Sequence, residues 1–270
     1  MARTGTLGGM VELVGFALGN VTHSVSTLDL ARLTKSLEIA PAAAPLANPA
    51  GLASPSVAKT TAGNSVFGTV AIPFKRLAAL KKLEPTFAEI DAGTAIACTA
   101  ACPESTVAIE ASFTATAQSS LRDKLNAVNV AVNHTIRYAR DIDVYQVEDH
   151  WATPSETLAR REGDCEDFAI LKMAALSRDG VNLNDMAIVV LFDQKRHFYH
   201  AVLSVAVGER YYILDNMRDD VLPDTMLADY LPLYSIRGNK GYLHGSLVQG
   251  AAVAANKVPL DVAPGEGTPF

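Results

Sequence analysis

One cysteine, Cys165, is surrounded in the sequence by four carboxylates: Glu162, Asp164, Glu166 and Asp167. Asp164 is placed to begin a helix, so Cys165 falls in its first turn, where unpaired N–H groups and the positive end of the helix dipole favour a thiolate. A lone cysteine is often a small buried apolar residue. Four carboxylates are an unusual setting for a core position, however, and we interpret Cys165 as a candidate nucleophile.

A nucleophilic thiol needs a base, and the base needs an acceptor that orients it. His200 begins a predicted strand, and Asp215 ends the next one. If Gly208 and Glu209 form a two-residue turn of type II′, Asp215 lies opposite Val202 and diagonal to His200 on the same face of the hairpin. A slip of one residue would place the two side chains on opposite faces. The sequence therefore predicts a catalytic set of Cys165, His200 and Asp215. It also predicts that the N-terminus of the Cys165 helix meets the face of the sheet that carries His200 and Asp215.

The carboxylates beside Cys165 oppose the thiolate, because nearby negative charge raises the pKa of a thiol. A bound cation would remove this conflict, and calcium prefers oxygen ligands at such a density. Asp164 and Glu166 flank the nucleophile and are the predicted calcium ligands. The alternative is that Asp164 and Asp167 cap the helix while Glu162 and Glu166 are solvated. The spacing does not match an EF-hand loop, so both interpretations stay open.

The elements that must position these groups are helices first and strands later. A stripe of apolar residues predicts a helix over 119–139, and a capping pattern at 153–156 starts a short second helix. A third helix begins at Asp164 and ends near Gly180. Strand patterns follow at 186–192, 200–207 and 211–214. This order predicts an α+β fold with helices packed on one side of an antiparallel sheet, which would bury Ile188, Val190, Leu203, Val205 and Leu214.

Composition bounds the remaining possibilities. The chain has 270 residues, with 23 lysines and arginines against 29 aspartates and glutamates, and its net charge of −6 argues against a nucleic-acid partner. Hydrophobic residues make up 49% of the chain, enough for a sizeable core. The three cysteines are too few for a disulfide scaffold or a four-ligand zinc site.

The sequence divides into three parts. Residues 1–66 form an N-terminal segment that includes an Ala/Pro/Ser-rich linker at 40–58. Residues 67–249 form the folded domain, and residues 250–270 form a tail that we expect to be flexible. Arg3 precedes an apolar stretch that resembles an export signal, but Glu12 and four glycines interrupt it, so export by this segment stays an open alternative.

Several motifs occur together in a recognisable order: Trp151-Ala152-Thr153-Pro154, the run Gly163-Asp164-Cys165-Glu166-Asp167-Phe168-Ala169-Ile170 with Lys172, then His200-Ala201-Val202-Leu203 and Leu214-Asp215-Asn216. In this combination the sequence resembles the bacterial transglutaminase-like cysteine proteinases of the LapG type, over about 67–245. The resemblance implies a papain-like or transglutaminase-like cysteine proteinase core.

The same resemblance implies a set of roles and partners. Cys165 would be the nucleophile, His200 the base and Asp215 its orienting group, with calcium held by Asp164 and Glu166 and with Asp167 left as a capping residue. It further implies a periplasmic enzyme that cuts a large cell-surface adhesin near its N-terminus under the control of an inner-membrane cyclic di-GMP receptor. In an oxidising compartment Cys98 and Cys102 would form a small disulfide, although two reduced thiols fit the spacing equally well.

Three functions fit these residues. The first is a calcium-dependent cysteine endopeptidase. The second is a transglutaminase-type acyl transferase, which uses the same triad with an amine in place of water. The third is a non-catalytic binding module on the same fold, against which the intact set of Cys165, His200 and Asp215 argues.

Overall fold

The computed structural model of the protein describes residues 65–97, 102–248, 251–254 and 262–265. All of them belong to one compact unit, Ser56–Phe270. Most of the N-terminal segment, with its linker and its signal-like stretch, lies outside the described residues. The proposed division of the sequence into three parts therefore stays a prediction.

Within the described ranges, helices occupy the first half of the folded region. They are α1 (Ala79–Lys82), α2 (Glu84–Asp91), α3 (Glu104–Thr116), α4 (Leu121–Thr135), α5 (Asp141–Val144), α6 (Pro154–Arg160) and α7 (Cys165–Arg178). Short 3₁₀ turns lie at Val66–Gly68, Leu183–Asp185 and Asp224–Met226.

The strands are β1 (Val70–Pro73), β2 (Arg137–Tyr138), β3 (Glu162–Gly163), β4 (Met186–Asp193), β5 (Phe198–Val207), β6 (Arg210–Leu214), β7 (Leu222–Pro223), β8 (Tyr230–Arg237), β9 (Lys240–Val248) and β10 (Ala251–Ala254). Eight of them form one sheet in the order β1-β9-β8-β4-β5-β6-β7, with β10 also paired to β9. All pairings in this sheet are antiparallel. Strands β2 and β3 form a separate parallel pair. The predicted α+β class is confirmed.

Local sequence accounts for the helices nearest the site. Helix α4 begins with a capping box between Ser120 and Asp123, and α6 begins with one between Thr153 and Glu156, with Pro154 at its first position. Helix α7 ends where Gly180 adopts a φ of 89°, as a residue after a helix C-terminus often does. The predicted helix over 119–139 is shorter at its C-terminal end, because Ile136 is already extended and Arg137 pairs with β3.

The β5–β6 hairpin has the predicted register. Val207 pairs with Arg210 across Gly208 and Glu209, and the ladder continues to the pair Leu203 and Leu214. Gly208 has a φ of 62°, which a tight hairpin turn requires. Asp215 follows the last pair directly, so its position opposite Val202 agrees with the sequence prediction.

The two faces of the sheet carry separate cores. The face toward α7 buries the predicted set of Ile188, Val190, Leu203, Val205 and Leu214 together with the helix residues. The other face buries Val189, Leu191, Val202 and Ile213 beneath Leu227, Tyr230 and the N-terminal Val66. Side chains alternate along a strand, so His200 shares the face of Val202, opposite the face on which α7 packs. The expectation that the helix N-terminus meets this same face is therefore wrong.

Two of the longest strands, β8 and β9, lie after residue 214, where the sequence pattern predicts no further element. In β8, Pro232 lies where the pairing with β4 shifts register, between Val190 and Leu191, and a bulge tolerates a residue that has no N–H. A tight turn containing Gly238, with a φ of 55°, then joins β8 to β9. Pro232 and Gly238 therefore belong to a β-hairpin and do not mark a loop.

Parts of the C-terminal region are ordered. Ala251–Ala254 pairs with β9, and residues 262–265 fold back toward β5. The rest of the predicted flexible tail lies outside the described residues. Among the helices that the structure describes, none is long and apolar enough to cross a membrane.

Candidate active site

Helix α7 presents the thiol at its first residue. Cys165 is 1% exposed and lies at the edge of the sheet, where the β5–β6 ladder has ended. There the N–H of Ala201 donates to Cys165 Sγ at 3.3 Å. The thiol in turn lies 3.3 Å from Glu166 Oε2, to which it donates. Because Cys165 lies at this edge, helix α7 on one face of the sheet can bring the thiol beside His200, whose side chain projects from the other face.

The histidine and the aspartate are in direct contact. His200 Nε2 lies 2.9 Å from Asp215 Oδ1, and both side chains are at most 1% exposed. His200 Nδ1 has no hydrogen-bond partner among the described residues. Cys165 and His200 line the same pocket of about 460 Å³. One imidazole nitrogen is thus engaged by Asp215, while the other remains available to accept a proton.

Asp215 is held by more than the histidine. Tyr230 Oη donates to its Oδ2 at 2.7 Å, Arg218 Nε donates at 3.1 Å, and the Met217 N–H donates to Oδ1 at 3.0 Å. Burial by itself raises the pKa of Asp215, but the hydrogen bonds and the charge of His200 outweigh it and hold this pKa well below its ordinary range. Asp215 is therefore an ionised acceptor.

A cluster of buried carboxylates lies beside the thiol. Oxygen atoms of Asp141, Asp164 and Asp167 lie within 4.8 Å of one another, as do those of Asp141, Asp149 and Glu166. Asp141, Glu166 and Asp167 each have one buried oxygen without a hydrogen-bond partner in the described part of the chain. An oxygen donor set of this kind fits a hard divalent cation.

The carboxylates also change the acid–base properties of the site. Burial raises the pKa values of Glu166 and Asp167 well above their ordinary range, and the neighbouring Asp164 raises both further. Burial likewise raises the pKa of Asp141 to about 6. The pKa of the Cys165 thiol is raised by burial and then by the charges of Glu166 and Asp164. The conflict expected from the sequence is present in the structure.

Two parts of the capped and solvated alternative do not match the structure. Glu166 is fully buried, and Asp164 makes no side-chain capping bond to α7. Asp167 Oδ1 instead accepts the Ala152 N–H at 2.8 Å, which joins the segment before α6 to α7. Asp167 is therefore as much a part of the carboxylate cluster as the two predicted ligands.

Sequence reasoning missed Asp141 and Asp149. Asp141 lies on the one-turn helix α5, and Asp149 lies just before the Trp151 motif, where it accepts hydrogen bonds from Lys82 and from Trp151 Nε1. The available signal was the density of acidic residues over 141–149, but no local pattern aims these side chains at Glu166. Tyr230, the donor to Asp215, lies after the last predicted strand, where the sequence predicts no element.

Three other histidines in the described part of the chain make contacts away from Cys165. His244 lies in β9, and its ring is buried between Thr69 Oγ1 at 2.6 Å and Ser235 Oγ at 2.8 Å. His150 stacks on Tyr145 with ring centroids 4.1 Å apart. His197 lies in the turn after β4, where its N–H donates to Asp193 O.

A cysteine at a helix N-terminus beside a histidine–aspartate pair on an antiparallel sheet is the arrangement expected of a transglutaminase-like cysteine proteinase fold. Residues 89–231, just over half of the chain, match the family of bacterial transglutaminase-like cysteine proteinases. The chain belongs to this family.

Other similarities are more local. Two UPF0252 proteins, from Archaeoglobus fulgidus and Methanocaldococcus jannaschii, are each 33% identical over 76 and 69 residues, or 28% and 25% of this chain. The chain spans only 23% and 20% of the length of these relatives.

Among solved structures, the chain is similar to Legionella pneumophila LapG, with 26% identity and a TM-score of 0.47 over 52% of this chain and 78% of that one. It is also similar to the calcium-bound form of the same protein, with 22% identity and a TM-score of 0.49 over 67% of this chain and 94% of that one.

Proposed function

We propose that the protein is a calcium-dependent cysteine endopeptidase in which Cys165 is the nucleophile, His200 the general base and Asp215 the group that orients it. One observation carries this proposal: His200 contacts Asp215 through Nε2 and shares a pocket with Cys165, while its Nδ1 has no other hydrogen-bond partner in the described residues. A base held in this way has one nitrogen fixed and the other ready for the thiol.

The chemistry follows from these positions. His200 Nδ1 takes the thiol proton, and Cys165 Sγ attacks the peptide carbonyl carbon. The N–H of Cys165, at the first position of α7, has no acceptor within the helix and would help to stabilise the oxyanion. The imidazolium then protonates the leaving amine and a thioester forms. Water, deprotonated by His200, hydrolyses the thioester and restores the thiol.

Calcium would be held by Asp164 and Glu166, as the sequence predicts, together with Asp141 and Asp167. When bound, the cation would neutralise carboxylates that otherwise raise the pKa of the Cys165 thiol. Asp149 is a weaker candidate because it already accepts hydrogen bonds from Lys82 and Trp151. The buried oxygens of Asp141, Glu166 and Asp167 that lack hydrogen-bond partners support this set.

The family resemblance supports a substrate and a location. We propose that the enzyme acts in the periplasm on a large cell-surface adhesin, near its N-terminus, under control of an inner-membrane cyclic di-GMP receptor. Cys102 is disulfide-bonded, which agrees with an oxidising compartment, while its predicted partner Cys98 lies outside the described residues.

The catalytic assignment is tested by incubating purified N-terminal regions of candidate adhesins with the parent protein and with Cys165→Ala. Cleavage should be lost in the variant, because no other group supplies the nucleophile, while its far-UV circular dichroism spectrum stays unchanged. Cleavage by Cys165→Ala at the parental rate would disprove the assignment. Adding a fluorescent primary amine to the same reactions separates hydrolysis from acyl transfer, because only a transferase would label the substrate.

The calcium assignment has a matched pair of variants on α5. Asp141 is 1% exposed within the cluster, whereas the Asp143 side chain is 59% exposed and pairs with Arg140. Asp141→Asn should weaken calcium binding in titration calorimetry by at least about tenfold, since a buried charged ligand is lost. Asp143→Asn should bind calcium as the parent does. If the parent protein binds no calcium, the metal assignment is wrong, and the triad can still be tested by cleavage.

A further inference from the structure

A segment from the C-terminal region, 262–265, reaches the pocket that contains Cys165 and His200. Gly265 is one of the residues lining this pocket. Its N–H donates to the carbonyl of Tyr199 at 2.9 Å, and its carbonyl accepts a hydrogen bond from Tyr138 Oη at 3.2 Å. Val262 is 7% exposed, which shows that the segment is packed against the protein.

Both hydrogen bonds are made to the main chain of Gly265, so the same two groups could hold the main chain of a separate peptide in this position. Tyr199 immediately precedes the candidate base, His200, in β5. Tyr138 lies in β2, which pairs with the strand just before α7. The site therefore offers one acceptor and one donor for a peptide unit beside the thiol, as peptide-binding clefts do.

The surroundings and the backbone conformation of Gly265 also restrict which residue can occupy this position. A Cβ on Gly265 would lie 3.1 Å from Tyr138 Oη and 3.3 Å from Asp164 Oδ2, closer than most Cβ contacts. Gly265 has a φ of 85°, a conformation that glycine adopts much more readily than other residues. Steric space and backbone conformation thus favour glycine independently of each other.

We propose that Tyr138 and the Tyr199 carbonyl form a glycine-selective peptide subsite beside Cys165, and that the segment 262–265 occupies it in the manner of a bound peptide. The inference rests on the proposed peptidase function and names its substrate class, a peptide segment with glycine at the position of Gly265. The chain's own segment competes with such a substrate. Because the segment is tethered, its effective concentration is in the millimolar range, so a free peptide binds poorly while the segment is docked.

The test uses the full chain carrying Cys165→Ala, in which no turnover can occur, and a fluorescein-labelled synthetic peptide with the sequence of residues 258–268. Fluorescence anisotropy measures its binding. Adding Gly265→Ala to the chain should release the tethered segment and increase the affinity for the free peptide by roughly tenfold or more. A second peptide with alanine at the Gly265 position should bind at least about tenfold more weakly than the first.

Gly180→Ala is the matched control. Gly180 has a φ of 89°, close to that of Gly265, but a Cβ there would meet no atom within 4 Å, and it lies at the end of α7. This variant should bind the peptide as weakly as the Cys165→Ala parent. Equal binding of the glycine and alanine peptides, or no gain of affinity in Gly265→Ala, would overturn the proposal.

A second measurement does not depend on a substitution in the segment. In Tyr138→Phe the Gly265 carbonyl loses its hydrogen bond, so the Gly265 amide should exchange with deuterium roughly fivefold faster than in the parent. An unchanged exchange rate would contradict the docked segment. Neither measurement needs catalysis, so a failure of the subsite is distinguishable from a failure of the peptidase assignment, which cleavage decides.

Discussion

Asp215 has an unusual number of partners for one carboxylate. His200, Met217, Arg218 and Tyr230 all donate to its two oxygens. A carboxylate held on several sides cannot rotate freely, so the imidazole that it contacts is fixed in one orientation. At the scale of single residues, Asp215 acts by positioning His200, and its ionised state is ensured by these donors.

Replacing Asp215 by asparagine should therefore reduce kcat without removing the base. An amide can present its NH₂ group to His200 Nε2 and so favour the wrong tautomer, a defect that lowers kcat on the order of 10⁴-fold in serine triads. The measurement is kcat on the cleaved substrate, with circular dichroism as a check of folding. Residual activity above that of Cys165→Ala is expected.

Asp219→Asn is the control for this prediction. Asp219 lies four positions further on and contacts His134 Nε2 at 2.8 Å, with its side chain 51% exposed. Its substitution should leave kcat within about twofold of the parent, as surface substitutions away from a site usually do. An Asp215→Asn enzyme as active as Asp219→Asn would show that His200 does not depend on this carboxylate.

At the scale of elements, local signals explain what could be predicted. The capping boxes of α4 and α6 and the glycine after α7 are encoded within a few residues. The turn at Gly208 fixes the register of β5 and β6, and this register places Asp215 within reach of His200. The predicted hairpin register thus needed only short-range chemistry, whereas the predicted face of the sheet did not hold.

The remaining elements depend on contacts between distant parts of the chain. Strand β1 pairs with β9, and Val70 lies opposite Gly245, so no local pattern specifies that pairing. Asp141 approaches Glu166 only because α5 packs against β3, the strand that leads into α7. Alternation of side chains identified the two faces of β5, but the edge position of Cys165 depends on where β6 leaves the sheet.

The close approach of Gly163 to Asp167 at the start of α7 gives a testable prediction. Gly163 ends β3, and a Cβ there would lie 2.6 Å from Asp167 Oδ2 and 2.7 Å from Asp167 Cβ. Asp167 cannot move away easily, because its other oxygen accepts the Ala152 N–H. Gly163→Ala should lower the free energy of unfolding by about 1–3 kcal/mol in urea titrations and should also weaken calcium binding.

Gly93→Ala serves as the comparison for Gly163→Ala. Gly93 has a φ of 69° and open space around its Cα, far from the carboxylates in sequence. The Gly93→Ala protein should lose stability through backbone strain while binding calcium with the parental affinity. If both variants bind calcium equally well, the close approach of Gly163 to Asp167 does not matter for the metal site.

At the scale of the whole molecule, the site joins two cores that the sheet otherwise separates. Helix α7 belongs to one core, and His200 with Tyr230 belongs to the other. Lys172, two turns after Cys165 on α7, is fully buried. Its Nζ has no hydrogen-bond partner among the described residues and lies 5.7 Å from the centre of the Phe168 ring.

The pH dependence of global stability should reveal this buried amine. Burial lowers the pKa of Lys172 to about 7, although Asp215 and Asp219 oppose the shift. An unfolded lysine keeps its proton up to about pH 10.4, so between these values the unfolded state binds more protons than the folded state. Lys172 therefore destabilises the fold most below pH 7, and this cost decreases as the pH rises.

Lys172→Met removes the titrating group and keeps the length of the side chain. Its unfolding free energy should exceed that of the parent at pH 6.5, and this advantage should shrink by about 2 kcal/mol by pH 9, because each pKa unit corresponds to roughly 1.4 kcal/mol. Urea unfolding at the two pH values measures the difference, with Lys81→Met, at an exposed position of α1, as the control that should show no such change. An advantage that stays constant with pH would mean that Lys172 keeps its proton in the folded protein, paired with the charge of Asp215 rather than neutralised by burial.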